Sequence, residues 1–160
     1  MKIAVLDAKT LGSDIDLSVF SEIGEVSVYA KTEEDEITEH IGDAEVVILN
    51  KIKFNENTIK NIGNIKLVCI TATGFDNVDL EFCRKNNIGV CNIVGYSTES
   101  VAQVTIAMAL SLITHIPEYD EFSKSGKYSA SGAANCLTPV YHEVSGMTWG
   151  VVGCGYALRS

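Results

Sequence analysis

The segment Leu67-Val68-Cys69-Ile70-Thr71-Ala72-Thr73-Gly74-Phe75-Asp76-Asn77-Val78-Asp79-Leu80 decides how the rest of this sequence is read. Its first four residues form a short unbroken apolar run, the composition of a strand covered on both faces. The next seven are mostly polar and small, with a glycine at position 74, the signature of a turn. Asp76 then offers a helix cap, two acids follow in the next turn, and Leu80 and Cys83 begin an apolar face. Strand, glycine turn and helix start in that order make the first half of a βαβ unit.

Working outward, four further runs rich in Val, Ile and Leu cover residues 3–6, 26–29, 46–49 and 90–93, so that five recur at intervals of about twenty residues. Thr32-Glu33-Glu34-Asp35 followed by Ile37, Ile41 and Gly42 reads as cap, acidic first turn, apolar face and glycine stop. Strands alternating with helices of this length imply right-handed crossovers and a parallel sheet of about five strands. The fold class is α/β, with a doubly wound parallel sheet.

Beyond the fifth run, Ser97 or Thr98 caps a long helix through Val101, Val104, Met108 and Leu112. It is apolar on nearly all sides and is expected to be buried. Residues 118–147 dissolve into Ser, Gly, Ala and Tyr with little periodicity, which marks a loop or arm. Thr148-Trp149-Gly150-Val151-Val152 then reads as a new strand running into Gly153-Cys154-Gly155. The expected organisation is a first domain over residues 1–97, a connecting helix over 98–117, an arm over 118–147 and the opening of a second domain over 148–160.

A chain of 160 residues with 46% hydrophobic composition can build a sizeable core. Its 12 basic and 21 acidic residues leave a net charge of -9, which repels phosphate backbones and anionic lipid, so neither nucleic acid nor membrane is an expected partner. The apolar stretch 101–116 falls short of the ~20 residues that cross a bilayer. The opening MKIAVLDAK has no secretion-signal features, and a cytoplasmic location is expected. Cys69, Cys83, Cys91, Cys136 and Cys154 are odd in number and form no C-x-x-C pair, which points to reduced thiols and no metal site.

In an open parallel sheet, ligands collect beyond the carboxyl ends of the strands, where loops present free N–H groups. The loops to inspect begin at Asp7, Asn50, Thr71 and Asn92. In the third of them, Gly74 admits close approach and the following helix start favours an anion, so a small carboxylate fits. The alternative is a plain strand-to-helix turn capped by Asp76 or Asn77. Lys51, at the neighbouring strand's exit, is either a cation for the same anion or a solvated surface lysine. His40 and His115 read as structural, His142-Glu143 is no acid–base pair, and neither Arg84 nor Arg159 is placed as a substrate clamp. Gly153-x-Gly155 after an apolar run opens a dinucleotide fingerprint, although Leu158 stands where a third glycine is usual.

Three motifs then occur in order: residues 71–80; Gly95-Tyr96-Ser97 with Ser100-Val101-Ala102-Gln103 and Thr105; and Trp149-Gly150-Val151-Val152-Gly153-Cys154-Gly155. Together they resemble the D-isomer-specific 2-hydroxyacid dehydrogenases, in particular the glycerate dehydrogenase and hydroxypyruvate reductase branch, over the whole chain. The resemblance implies a flavodoxin-like substrate domain joined to a Rossmann domain, and reduction of a small 2-oxo acid to a 2-hydroxy acid with hydride from NAD(P)H. It implies that Gly74 and Phe75 hold the substrate carboxylate, with Lys51 in a loop that also approaches substrate. Thr73 and Thr105 would border the nicotinamide, and Gly153, Gly155, Tyr156, Ala157 and Leu158 would meet pyrophosphate. Residues 118–147 correspond to the family's dimer arm, implying a homodimer.

The family's catalytic arginine, glutamate and histidine correspond to positions beyond Ser160, so this chain alone is expected to be inactive. The rival readings are a non-catalytic, small-carboxylate-binding or dimerising regulatory remnant, and a flavodoxin or receiver module sharing the sheet topology. A receiver needs an acidic cluster where only Asp7 faces Asn50, and Asp7-Ala8-Lys9-Thr10 imitates a flavodoxin phosphate loop only in part.

Overall fold

A computed structural model describes residues 1–153 and Gly155, and the chain divides into two compact units, Met1–Val94 and Gly95–Ser160. The first holds all five expected strands: β1 (Lys2–Val5), β2 (Glu25–Val28), β3 (Val46–Leu49), β4 (Leu67–Ile70) and β5 (Gly89–Asn92). They form one parallel sheet in the order β2-β1-β3-β4-β5, the doubly wound arrangement in which the chain first winds outward and then returns past β1.

The unbroken apolar runs are explained by burial on both faces. Within β3, Val47 and Leu49 join one core with Val68, Ile70, Ile37, Ile41 and Cys83, while Ile48 joins Ile3 and Val5 in a second core on the opposite face. Leu17 and Phe20, from the 3-10 segment Leu17–Glu22, pack against that second core. The edge strand β5 has no buried residue in its four positions.

Both expected helices exist, but their first turns lie later than the sequence suggests. Helix α1 (Ile37–Ile41) begins after Glu36, and Thr32 is not its cap. Thr32 is buried instead, donating through Oγ1 to the Leu6 carbonyl and meeting His40 Nδ1 at 2.9 Å, so it ties this segment to the end of β1. Gly42 stops the helix as expected, at φ +53 with its N–H on the Thr38 carbonyl.

Helix α2 (Leu80–Lys85) is capped by Asp79 rather than Asp76, the Asp79 carboxylate accepting from the N–H groups of Glu81 and Phe82 at 3.0 and 2.9 Å. The reason is a one-residue parallel bridge between Phe54 and Val78. Phe54 donates to the Asn77 carbonyl at 2.8 Å and Asp79 donates to Phe54 at 2.9 Å, which holds residues 77–79 extended. Helical geometry can start only beyond them.

In the second unit, α3 (Thr98–Thr114) has Ser97 at its cap position without a side-chain cap bond. The burial expected for this helix is not found: none of its residues is buried, and Val101, Val104, Ile106, Met108 and Leu112 are each more than half or about half exposed. A helix apolar all round cannot be covered from a single side, and this unit offers it no enclosing layer.

Residues 118–147 are not wholly irregular either, since they contain most of α4 (Ile116–Lys124) and all of α5 (Lys127–Ser131). Pro117 starts α4 in the first turn, Lys124 pairs with Asp120 one turn back at 2.7 Å, and Phe122 meets Tyr128 edge-on at 6.2 Å. Residues 148–152 form no strand among the described residues. A strand exists only through lateral pairing, and the second unit contains no described strand to pair with this segment. No single described helix is long and apolar enough to cross a membrane; α3 and α4 pass together by composition but bend by 65° at their junction.

Replacing the true cap distinguishes it from its neighbour. Asp79→Ala should lower the stability of the first unit by about 1 kcal/mol in a denaturant titration. Asp76→Ala, a surface change, should stay within about 0.5 kcal/mol; a larger loss at Asp76 than at Asp79 would contradict the cap assignment.

Candidate functional site

The carboxyl edge of the sheet is closed by a carboxylate that the sequence reading treated only as a loop start. Asp7 follows β1 and is 6% exposed. Its Oδ1 accepts from the Asn50 N–H at 2.9 Å, and its Oδ2 accepts from Asn50 and Lys51 at 3.1 and 2.6 Å. A buried carboxylate held by two backbone donors fixes the loop leaving β3 against the end of β1. No local motif signals this, because the partners are 43 and 44 residues apart.

Asn77 makes the second link. Its Nδ2 donates to the carbonyls of Asn50 and Ile52 at 3.1 and 2.8 Å, joining the loop after β4 to the loop after β3. Asn77 therefore staples two loops rather than capping a helix. Asn92, at the end of β5, donates through Nδ2 to the Thr73 carbonyl at 2.8 Å and supports the same loop from the other side. The Asn50 Oδ1 is buried with no partner among the described residues.

Between these anchors, Thr73, Gly74, Phe75 and Asp76 are exposed, Phe75 by 48%. Among the described residues, the backbone N–H groups of Gly74, Phe75 and Asp76 donate to no protein acceptor. Three free donors in succession beyond a parallel strand suit a small anion. The helix start contributes less than expected, because α2 is six residues long and Asp79 already satisfies its first N–H groups. Gly74 lies outside the left-handed region, and a Cβ there would stand 3.3 Å from Asp76 Oδ1, so a side chain would press on the Asp76 carboxylate.

Lys51 does not share a cavity with Gly74 and Phe75. It lines an open cleft with Lys53, Asn55, Asp76, Asn77 and Asp79, where the acids offset the two lysines. Phe75 instead borders a shallower depression with Leu80, Val90, Cys91 and Asn92.

Of the three histidines only His40 belongs to the first unit. His40 stacks on Tyr29 at 3.7 Å and 10°, His115 meets Glu118 at 3.3 Å, and His142 is exposed in the second unit. Arg84 lies in α2.

The residues expected to meet a nicotinamide cofactor are described each within its own unit. Thr73 and Thr105 fall in different units, and the Thr105 hydroxyl is already spent on the Val101 carbonyl one turn back at 2.7 Å. Gly153 has φ +104, and no atom lies within 4 Å of a Cβ built at Gly153 or Gly155. Tyr156, Ala157 and Leu158 lie outside the described residues.

The family model described as D-isomer specific 2-hydroxyacid dehydrogenase, catalytic domain, matches residues 3–151. The chain belongs to this family. It is 31% identical over 159 residues to a hydroxypyruvate reductase of Blautia hydrogenotrophica, covering 97% of this chain and 49% of that protein. With a glycerate dehydrogenase of Methylorubrum extorquens it shares 27% identity, covering 99% of this chain and 50% of the other. The fold matches that of a D-lactate dehydrogenase of Aquifex aeolicus solved with NAD and lactic acid, with a TM-score of 0.73, 24% identity, and coverage of 98% of this chain and 45% of that one. The chain thus spans about half the length of the relatives it matches, which are oxidoreductases acting on 2-hydroxy acids.

Removing the Asp7 carboxylate would strand two backbone donors at a buried position. Asp7→Ala should destabilise the first unit by roughly 3 kcal/mol in chemical unfolding. A loss no larger than that of a surface substitution would show that the clasp does not organise this edge.

Proposed function

We propose that the loop after β4 holds the carboxylate of a small 2-oxo or 2-hydroxy acid, in the substrate-binding part of a dehydrogenase that reduces 2-oxo acids with hydride from NAD(P)H. The observation that carries this reading is the run of free N–H groups at Gly74, Phe75 and Asp76, in a family whose members act on such acids. Gly74 and Phe75 are the binding residues in this reading, and Lys51, which lines a separate cleft with Asp76 and Asp79, is kept as a neighbouring cation by family position alone. Thr73, Thr105 and residues 153–158 are assigned to the cofactor side by family position alone. In this reading the 160-residue chain binds acid without turning it over, supported by the first unit, where His40 is stacked on Tyr29 and Arg84 lies in α2 rather than on this loop.

Titration calorimetry of this chain with hydroxypyruvate, glyoxylate and pyruvate tests the reading. Three exposed backbone donors support weak binding, with Kd about 1 mM, equivalent to roughly 4 kcal/mol. A ketone lacking a carboxylate should give no heat, and Gly74→Val should abolish binding while leaving the unfolding transition in place. Equal binding of the neutral ketone would sink the carboxylate assignment, and NADH oxidation at ordinary dehydrogenase rates would sink the claim of inactivity.

The exposed apolar residues of α3 support the homodimer that the family arm implies, since a surface of this kind marks an interaction site. Sedimentation should show a dimer that Leu112→Glu weakens at least about tenfold, the equivalent of 1.4 kcal/mol. A monomer at all concentrations would remove this part of the proposal.

A further inference from the structure

Two cysteines that the site above does not use face each other on the sheet. Cys69 in β4 and Cys91 in β5 are register partners. The Cys91 thiol donates to Cys69 Sγ across 3.4 Å. Neighbouring strands lie ~4.8 Å apart, which places the two Cα atoms inside the window of roughly 4.4–6.8 Å that a disulfide spans. Sulfurs already in van der Waals contact need only side-chain rotation and a small strand approach to bond.

The two thiols are unequal. Cys91 is exposed, on the edge strand, while Cys69 is half-buried beside the second core. Burial, reinforced by hydrogen bonding to and charge on the Cys91 sulfur, pushes the Cys69 thiol up to about 12, so the exposed Cys91 reacts first and Cys69 acts second, once Cys91 is in a mixed disulfide and no longer holds it protonated. Among the described residues no third histidine, cysteine or carboxylate joins them in a metal-binding group.

We propose that Cys69 and Cys91 form a reversible redox pair that closes into a cross-strand disulfide by exchange with small-molecule disulfides of the glutathione class. In the first step the Cys91 thiolate attacks one sulfur of the small disulfide. A bond forms to Cys91 Sγ, the small S–S bond breaks, and the departing thiolate takes up the proton that Cys91 released. In the second step Cys69 gives up its proton and attacks Cys91 Sγ. The Sγ–Sγ bond forms, and the second small thiolate leaves and is protonated. One small disulfide is reduced to two thiols while two protein thiols are oxidised. Directly opposed positions on adjacent parallel strands suit a disulfide poorly, so the bond is strained and readily reopened by excess thiol.

The test uses the intact, fully reduced 160-residue chain incubated with excess glutathione disulfide and then denatured for thiol titration and peptide mass mapping. Two of the five thiols should disappear, the chain should lose two hydrogens in mass without retaining glutathione, and the mapped link should join Cys69 to Cys91. Dithiothreitol should restore all five. Cys69→Ser should instead keep a stable glutathione adduct on Cys91, and Cys91→Ser should leave Cys69 unmodified. Five thiols retained in the wild type, a persistent wild-type adduct, or a link to Cys83 or Cys136 would each overturn the proposal, and the wild-type map alone decides it if a serine variant fails to fold.

Discussion

The carboxyl edge of this sheet depends on one buried carboxylate. Asp7 is held by the N–H groups of Asn50 and Lys51, and through them the loop after β3 is fixed to the end of β1. Asn77 then bonds the carbonyls of Asn50 and Ile52, so the position of the loop after β4 is inherited from the loop before it. Strand order alone would bring these loops to one edge; it is the side-chain amide and carboxylate that set their heights. The free donors at Gly74, Phe75 and Asp76 have a defined direction only because this chain of contacts stands beneath them.

Electrostatics at that edge are modest rather than strongly attractive to anions. The short helix α2 spends its first N–H groups on Asp79, so little of its positive end reaches solvent. Asp76 and Asp79 share their cleft with Lys51 and Lys53, and the chain as a whole carries -9. Selection of a carboxylate here, as proposed, would rest on hydrogen-bond geometry more than on field strength. That is also why weak binding is the natural expectation for this chain, which spans about half the length of the relatives it matches.

The strands were legible because burial on both faces leaves a mark at every position: residues 46–49 cannot be anything but apolar when Ile48 faces one core and its neighbours the other. The turn at 71–77 was legible as the exit of a strand, because small and polar residues with a glycine follow an apolar run. Helix starts were less so, since Thr32 and Asp76 are good caps by composition, and their displacement comes from long-range bonds, Thr32 to Leu6 and Asp79 to Phe54. The clasp made by Asp7 could not have been read, although the sequence places it opposite Asn50, because an acid at a strand end has many uses and its partners lie more than forty residues away.

Residues 148–152 and α3 share a different limit. Local pattern correctly registers that the first is β-prone and the second wholly apolar, yet neither property is satisfied by the residues near it in sequence. A strand needs a neighbour to receive its ladder, and an apolar helix needs cover on more than one side. Sequence pattern reports what a segment requires, while structure reports whether the requirement is met. In the first unit every strand finds a partner and the core closes; in the second, α3 leaves Leu112 78% exposed and Val152 lies fully in solvent. The exposed apolar side chains of α3 therefore record a requirement that this unit does not meet, whereas the loop at 71–77 is held entirely by contacts within the first unit.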